Sequence, residues 1–275
     1  MKLFRTTDGP IAGESGNYYR IAGASWDQLL ARDDILMHLK NGIAANEFIQ
    51  VGEPKHPRAP IVGQEIWAAG VTYTRSKVAR MEESKSAGGG DFYDRVYSAQ
   101  RPELFYKGSA LRAVGHGQAI RIRKDSRWNV PEPELTLLIS AAGRITGYTI
   151  GNDVSSRHIE GENPLYLPQA KVYDGSAALG PCVFLTDAPL PSDTAIEIEI
   201  RRSGSQVFAG RTEISRIKRE LASLAEYLFR ECSFPAGCFL MTGTGIVPPD
   251  SFTLTSGDEV VITIAPIGTL SNWVQ

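Results

Sequence analysis

Two kinds of apolar run recur along this chain, and together they restrict it to a fold built mainly of strands. Ile120–Arg123 and Ile196–Ile200 alternate apolar with polar residues, the period of a half-buried strand. Leu135–Ile139 and Val260–Ile264 are denser apolar runs, as in strands buried on both faces. Gly and Pro punctuate these segments. One helix stands out against this texture. Ile217, Leu221, Leu224, Leu228 and Phe229 form a stripe at helical spacing, with Lys218, Arg219 and Glu226 off it. The expected class is α+β, rich in β, with no internal repeat.

The beginning of the chain differs. Residues 1–55 read as a small N-terminal unit and 61–275 as the main domain, joined across the proline-rich stretch 51–60, VGEPKHPRAP. Ser25 and Gln28 have capping-box spacing, and Trp26, Leu29, Leu30, Leu36 and Leu39 follow at roughly helical intervals. Residues 81–95 are polar and hold Gly88-Gly89-Gly90, the composition of a surface loop or of a lid over a site.

Composition excludes several function classes. A formal net charge of −2, from 29 basic and 31 acidic residues, supplies no field for a polyanion, so no nucleic-acid partner is expected. No apolar run reaches the ~20 residues that span a bilayer. The N-terminal octet lacks the apolar core of a signal peptide, so the expected location is the cytoplasm. Cys182, Cys232 and Cys238 lack C-x-x-C spacing and are expected as buried apolar residues, with neither structural zinc nor a disulfide framework.

Residues 128–181 carry the chemistry. Glu132 and Glu134 lie two apart, so on a strand they share a face. Two neighbouring carboxylates repel each other unless a cation sits between them. Pro131 and Pro133 fix the local backbone and remove two ladder donors. Asp153 follows the apparent strand Ile145–Ile150. Three hard oxygen ligands from strand ends suit Mg²⁺, Mn²⁺ or Ca²⁺ better than zinc. Lys171 lies in a rather apolar stretch beyond them, and a lysine beside a dication loses basicity and can serve as a general base. Near the C-terminus, M-T-G-T-G-I-V-P-P offers a turn rich in backbone N–H groups, able to bind a carboxylate. Taken singly, each of these features also fits an ordinary surface or turn position.

Taken together, in order and spacing, they resemble the fumarylacetoacetate hydrolase family, over roughly residues 65–275. The resemblance implies a mixed β-sandwich roll with a small N-terminal α/β unit. It places the metal ligands on Glu132, Glu134 and Asp153, with Lys171, Arg157 and Thr242-Gly243-Thr244 at the family's other positions. It also implies a homodimer or a dimer-based tetramer. Many hydrolytic members carry G-V-N-Y-x-x-H, whose histidine, paired with a glutamate, activates water. Here Gly70-Val71-Thr72-Tyr73-Thr74-Arg75-Ser76 puts serine in that place, and serine alone is no base near neutral pH. His158 stands where relatives usually have aspartate, and His38, His56 and His116 have no motif context.

Within the family, R-I-R-K-D-S-R-W-N-V-P-E-P-E-L-T-L and D-V-S-S-R-H-I-E-G-E-N-P-L-Y-L-P-Q-A-K look most like the 2-dehydro-3-deoxy-D-arabinonate dehydratases. This implies a small 2-oxo acid substrate that chelates the cation, removal of a C3 proton by Lys171, and loss of the 4-hydroxyl as water. Tautomerisation then gives 2-oxoglutarate semialdehyde. Glu103, Ser76, Arg75 and Lys107 are the candidate acids, with Glu103 and Ser76 expected to be catalytic. Arg75, Lys107, Arg157, Gln169 and Thr244 are expected to bind substrate. The alternatives are an acylpyruvate or diketo-acid hydrolase, or a 2-oxo-acid decarboxylase, of the same family; a binding protein without activity is a further one, against which the complete ligand set argues.

Overall fold

The computed structural model describes residues 1–83 and 90–275. Residues 84–89, at the heart of the stretch read as a lid, lie outside the described residues, between the helices Thr74–Glu83 and Gly90–Ser98.

The dense run at Leu135 is the middle of the molecule. Pro133–Ile139 is buried at every residue. It pairs antiparallel with Ile145–Asp153 on one side and with Cys238–Met241 on the other. The sheet extends beyond Ile145–Asp153 through Ala177–Leu185, Lys2–Thr6, Gly9–Glu14 and Asn17–Arg20 to Ile49–Val51. In the other direction it continues through Glu65–Gly70 to Glu103–Ser109. The Cys238–Met241 and Glu65–Gly70 pair is parallel, so the sheet is mixed.

Alternation along these strands sorts the side chains into two cores. Leu135, Leu137, Ile139, Cys182 and Leu240 face one core, shared with Ile196, Ile198, Ile200, Val260, Ile262 and Leu224. That core is closed by a second sheet, ordered Ser205–Glu213, Ala195–Arg202, Glu259–Ile264, Gly268–Val274 and Ala119–Ile120, and by the helix Leu221–Phe229. Leu138, Val183, Phe239 and Met241 face the other core, covered by Trp26, Leu29, Leu30, Ile35 and Leu39 of the N-terminal helices. A buried leucine at such a position stabilises the fold by about 1.5–3 kcal/mol through its own burial. With both faces covered, the central strands read as continuous apolar runs.

Several expectations meet detail here. The Ser25–Gln28 capping box is present, with the Gln28 N–H donating to Ser25 Oγ at 3.2 Å and the Ser25 N–H to Gln28 Oε1 at 2.9 Å. The helical stripe behind it is broken into Trp26–Leu30 and Ile35–Ala44. The residues 1–55 add their strands to the central sheet, Lys2–Thr6 pairing with Ala177–Leu185. In the stretch 51–60, Arg58 is pinned by its backbone to Arg5. Ile120–Arg123 is a strand only at Ala119–Ile120, because the Arg121 N–H leaves the ladder for Gly175 O. Ile217 precedes its helix, closing a 3₁₀ turn on Ile214 O. Cys182 and Cys238 are buried, whereas Cys232 is exposed just beyond that helix. Among the described residues, no helix is long and apolar enough to cross a membrane.

Candidate metal and catalytic site

The register of the central pair brings the acidic residues together. Glu134 lies opposite Gly151, and the Asp153 N–H donates to Glu132 O at 3.0 Å. Opposed residues of an antiparallel ladder share a face, as do residues two apart on one strand. Glu132, Glu134 and Asp153 therefore converge at one end of the pair, with ligand oxygens within 4.8 Å of one another, all three buried. Pro131 and Pro133 have no N–H to give the ladder. The N–H of Glu132, between them, donates to Asn152 Oδ1 at 3.1 Å.

Among the described residues, three buried cations face this cluster. Lys171 Nζ donates to Glu132 Oε2 at 2.8 Å, to Asp153 Oδ2 at 3.1 Å and to Ser155 Oγ at 2.6 Å. Arg157 Nη2 donates to Glu132 Oε1 at 2.9 Å. Lys107 Nζ lies 2.6 Å from Asp153 Oδ1 and also donates to the carbonyls of Val154 and Lys171. A further carboxylate, Glu160, is buried with its Oε1 4.0 Å from Lys171 Nζ.

Charge is therefore tightly balanced. Burial pushes the Glu134 carboxyl well above the usual carboxylate range, and Asp153 and Glu132 push it further; Lys171 and the Gly243 N–H oppose this without reversing it. Burial likewise lowers Lys107, against the pull of Asp153. Among the described residues, four buried carboxylates meet three buried cations, and a carboxyl driven toward neutrality marks a place where an additional cation is welcome. The donors are hard oxygens, so the triad fits Mg²⁺, Mn²⁺ or Ca²⁺.

The Thr-Gly-Thr turn finishes the enclosure. Thr242 hydrogen-bonds Leu135 O through both its N–H, at 3.1 Å, and its hydroxyl, at 2.9 Å. This sets the Gly243 N–H 2.6 Å from Glu134 Oε2. Gly243 has φ +90°, and a Cβ there would strike Thr72 Oγ1. The turn does bind a carboxylate, but one that belongs to the protein. Thr244 is buried beside it, its hydroxyl accepting from the Ile246 N–H at 3.2 Å.

The remaining expected residues divide. Ser76 lines the same cavity as the triad, but its hydroxyl donates to Tyr73 O at 2.9 Å and accepts from the Tyr73 N–H at 3.3 Å. Glu103 is half-buried where its strand pairs with Gly70, its carboxylate lying against that glycine. Lys107 and Arg157, expected on the substrate, are committed to Asp153 and Glu132. Arg75 is exposed and lines a neighbouring cavity, and Gln169 is exposed. The reading from sequence passed over Ser155, Asn152 and Glu160. Ser155 lay inside the quoted D-V-S-S-R, two residues after the aspartate, and so on its face.

The chain matches the family model described as fumarylacetoacetate (FAA) hydrolase C-terminal over residues 65–275. It is 48% identical over 221 residues to a Haloferax volcanii protein named "Probable 2-keto-3-deoxyxylonate dehydratase", covering 80% of this chain and 75% of that one. It is 42% identical over 213 residues to the 2-dehydro-3-deoxy-D-arabinonate dehydratase of Saccharolobus solfataricus, covering 77% and 72%. Among solved structures, a 2-keto-3-deoxy-D-arabinonate dehydratase complexed with magnesium and 2,5-dioxopentanoate superposes with a TM-score of 0.84 at 34% identity, covering 100% of this chain and 99% of that one. The register that gathers the three carboxylates, and the family match over residues 65–275, lead to one conclusion: this chain belongs to the fumarylacetoacetate hydrolase family.

Proposed function

We propose that the protein is a hydro-lyase that dehydrates a 2-keto-3-deoxy pentonate, 2-dehydro-3-deoxy-D-arabinonate, to 2,5-dioxopentanoate (2-oxoglutarate semialdehyde). The observation that carries this reading is the seat of Lys171, whose amine shares one buried enclosure with Glu132, Glu134 and Asp153. These three carboxylates would hold the divalent cation, Mg²⁺ first. When bound there, the cation supplies Lewis-acid polarisation of the substrate's 2-oxo group, which acidifies the C3 hydrogens.

Lys171 Nζ takes the C3 proton. Ser155 Oγ at 2.6 Å orients that amine. Glu103 gives a proton to the 4-hydroxyl, which departs as water and leaves a C3=C4 double bond. Moving one proton from C5 to C3, and the 5-hydroxyl proton to C4, completes the aldehyde. Lys107 and Arg157 hold Asp153 and Glu132 in place. Thr244, buried in the cavity wall, and Arg75, outside it, receive the substrate's polar groups. Ser76, at the position where hydrolytic relatives carry histidine and with its hydroxyl closed on Tyr73, argues against hydrolysis.

The assembly we propose is a homodimer or a dimer of dimers in the cytoplasm. The exposed edge strand Ser205–Glu213, with one ladder side unpaired in its sheet, supports association; light scattering measures it. The activity is tested by offering the protein with Mg²⁺ a panel of 2-keto-3-deoxy acids and acylpyruvates, with aldehyde formation followed through an added dehydrogenase. Activity on acylpyruvates with silence on every sugar acid refutes the dehydratase reading.

A further inference from the structure

A second cavity, of about 490 Å³, adjoins the carboxylate enclosure. No residue lines both, but their walls are continuous in sequence: Val71 and Ser76 line the enclosure and Tyr73–Arg75 between them the outer cavity, while Gly243 and Thr244 line the enclosure and Gly245–Val247 the outer cavity. Arg75, Arg211 and Arg216 line the outer cavity, and all three are exposed. Arg211 is within 3.6 Å of Glu197 and 3.8 Å of Glu213. Arg75 and Arg216 have no carboxylate partner among the described residues.

Tyr73 lines the outer cavity and feels the charge of Glu134 in the enclosure. Its ring lies so close to Gly245 that a Cβ there would fall 2.5 Å from its Cδ1. Tyr73 is 2% exposed, and its hydroxyl is buried without a hydrogen-bond partner among the described residues. Burial and the Glu134 charge raise the phenol, so it stays a donor. A buried hydroxyl left unmatched costs about 1–3 kcal/mol. A ligand oxygen is the partner this arrangement lacks.

We propose that this outer cavity is a carboxylate-binding antechamber, in which Arg75 and Arg216 capture the carboxylate of the 2-oxo acid substrate and Tyr73 passes it to the metal enclosure. The proposal rests on the dehydratase reading for the identity of the ligand. Its physical basis does not, since two unpaired guanidinium groups and an unmatched phenol on one cavity recognise an anion whatever the chemistry beyond. A concave site lined by one sign of charge also raises the local concentration of its ligand.

Calorimetry on the full chain with 2-oxoglutarate as probe, once with Mg²⁺ and once with EDTA, tests it. Binding that survives EDTA, weakens at least tenfold in R75A/R216A, and recovers in part in R75K/R216K is the expected result. Y73F weakens it severalfold, with its melting temperature checked alongside. In turnover, R75A/R216A raises KM for the sugar acid at least tenfold with a much smaller fall in kcat, and flattens the salt dependence of kcat/KM. Binding abolished by EDTA and indifferent to the arginines overturns the proposal. So does inorganic phosphate binding as tightly as 2-oxoglutarate, which marks a general anion site. Arginine-dependent binding without turnover of any sugar acid removes the dehydratase reading and keeps the antechamber.

Discussion

Lys171 Nζ lies 2.8 Å from Glu132 Oε2, so the proposed base and a proposed metal ligand touch inside one buried enclosure. Lys171→Met removes the base and keeps the side-chain volume. Turnover is expected to fall by about 10²–10⁴, the usual weight of a general base. Mg²⁺ binding, measured by calorimetry, is expected to persist or tighten, because an ammonium no longer occupies the carboxylates. Near-normal turnover in this variant means that Lys171 is not the base.

Gly243→Ala tests the turn behind Glu134. The added Cβ meets Thr72 Oγ1 at a backbone angle that L residues rarely adopt. A loss of about 1–3 kcal/mol in urea unfolding is expected. The displaced Gly243 N–H also releases Glu134, so Mg²⁺ affinity falls together with stability. A variant as stable as the parent, with unchanged affinity, assigns the glycine no such role.

Metal binding and pH are coupled through Glu134. Its folded-state affinity for a proton is raised, chiefly by burial. In metal-free protein its contribution to stability is therefore present below the ordinary carboxylate range and lost as pH rises through the raised value. Bound Mg²⁺ displaces that proton and offsets the loss. The increase in melting temperature on adding Mg²⁺ is expected to be larger at about pH 8 than at about pH 5.5. A pH-independent increase contradicts this account.

Asp258 offers a stability test far from the chemistry. It accepts from Arg202 Nε at 2.7 Å and Nη2 at 2.8 Å, and from the Thr255 N–H at 2.9 Å. Burial alone raises its carboxyl, but the Arg202 and Thr255 hydrogen bonds outweigh burial and hold it below the usual range. The stability it supplies is present above that range and lost as pH falls through the lowered value. Asp258→Asn is expected to cost about 1–2 kcal/mol at neutral pH, discounted because Arg202 is partly exposed. The gap between variant and parent in urea unfolding should narrow toward about pH 3.

What could be read from the sequence was what periodicity and local spacing encode. Leu135–Ile139 and Ile196–Ile200 were legible because each strand's burial is written in its own residues, whereas Val260–Ile264, read as buried on both faces, is buried only at Val260, Ile262 and Ile264, since one face of its sheet lies away from the core. The triad was legible because the strands that carry it are close in sequence, and Glu-x-Glu with a later aspartate survives as a motif. Lys107 was assigned to substrate because nothing local tells a lysine on a strand which acceptor it will meet; its partner Asp153 comes from a tertiary packing. The same holds for Gly243 on Glu134, a contact spanning 109 residues. Ser76 occupies the expected position, yet its hydroxyl was committed by a three-residue turn that spacing does not reveal.

Glu134 and Asp153 sit at the end of a deeply buried strand pair, with Glu132 one residue before it. Amide hydrogens in Leu135–Ile139 should exchange with solvent only when the whole domain opens, because local opening there breaks two ladders and two cores at once. The ligand geometry then has no softer route to failure than global unfolding. Deuterium uptake at these amides and loss of the metal site should follow one time course, with the enclosure keeping its shape until the protein as a whole is lost.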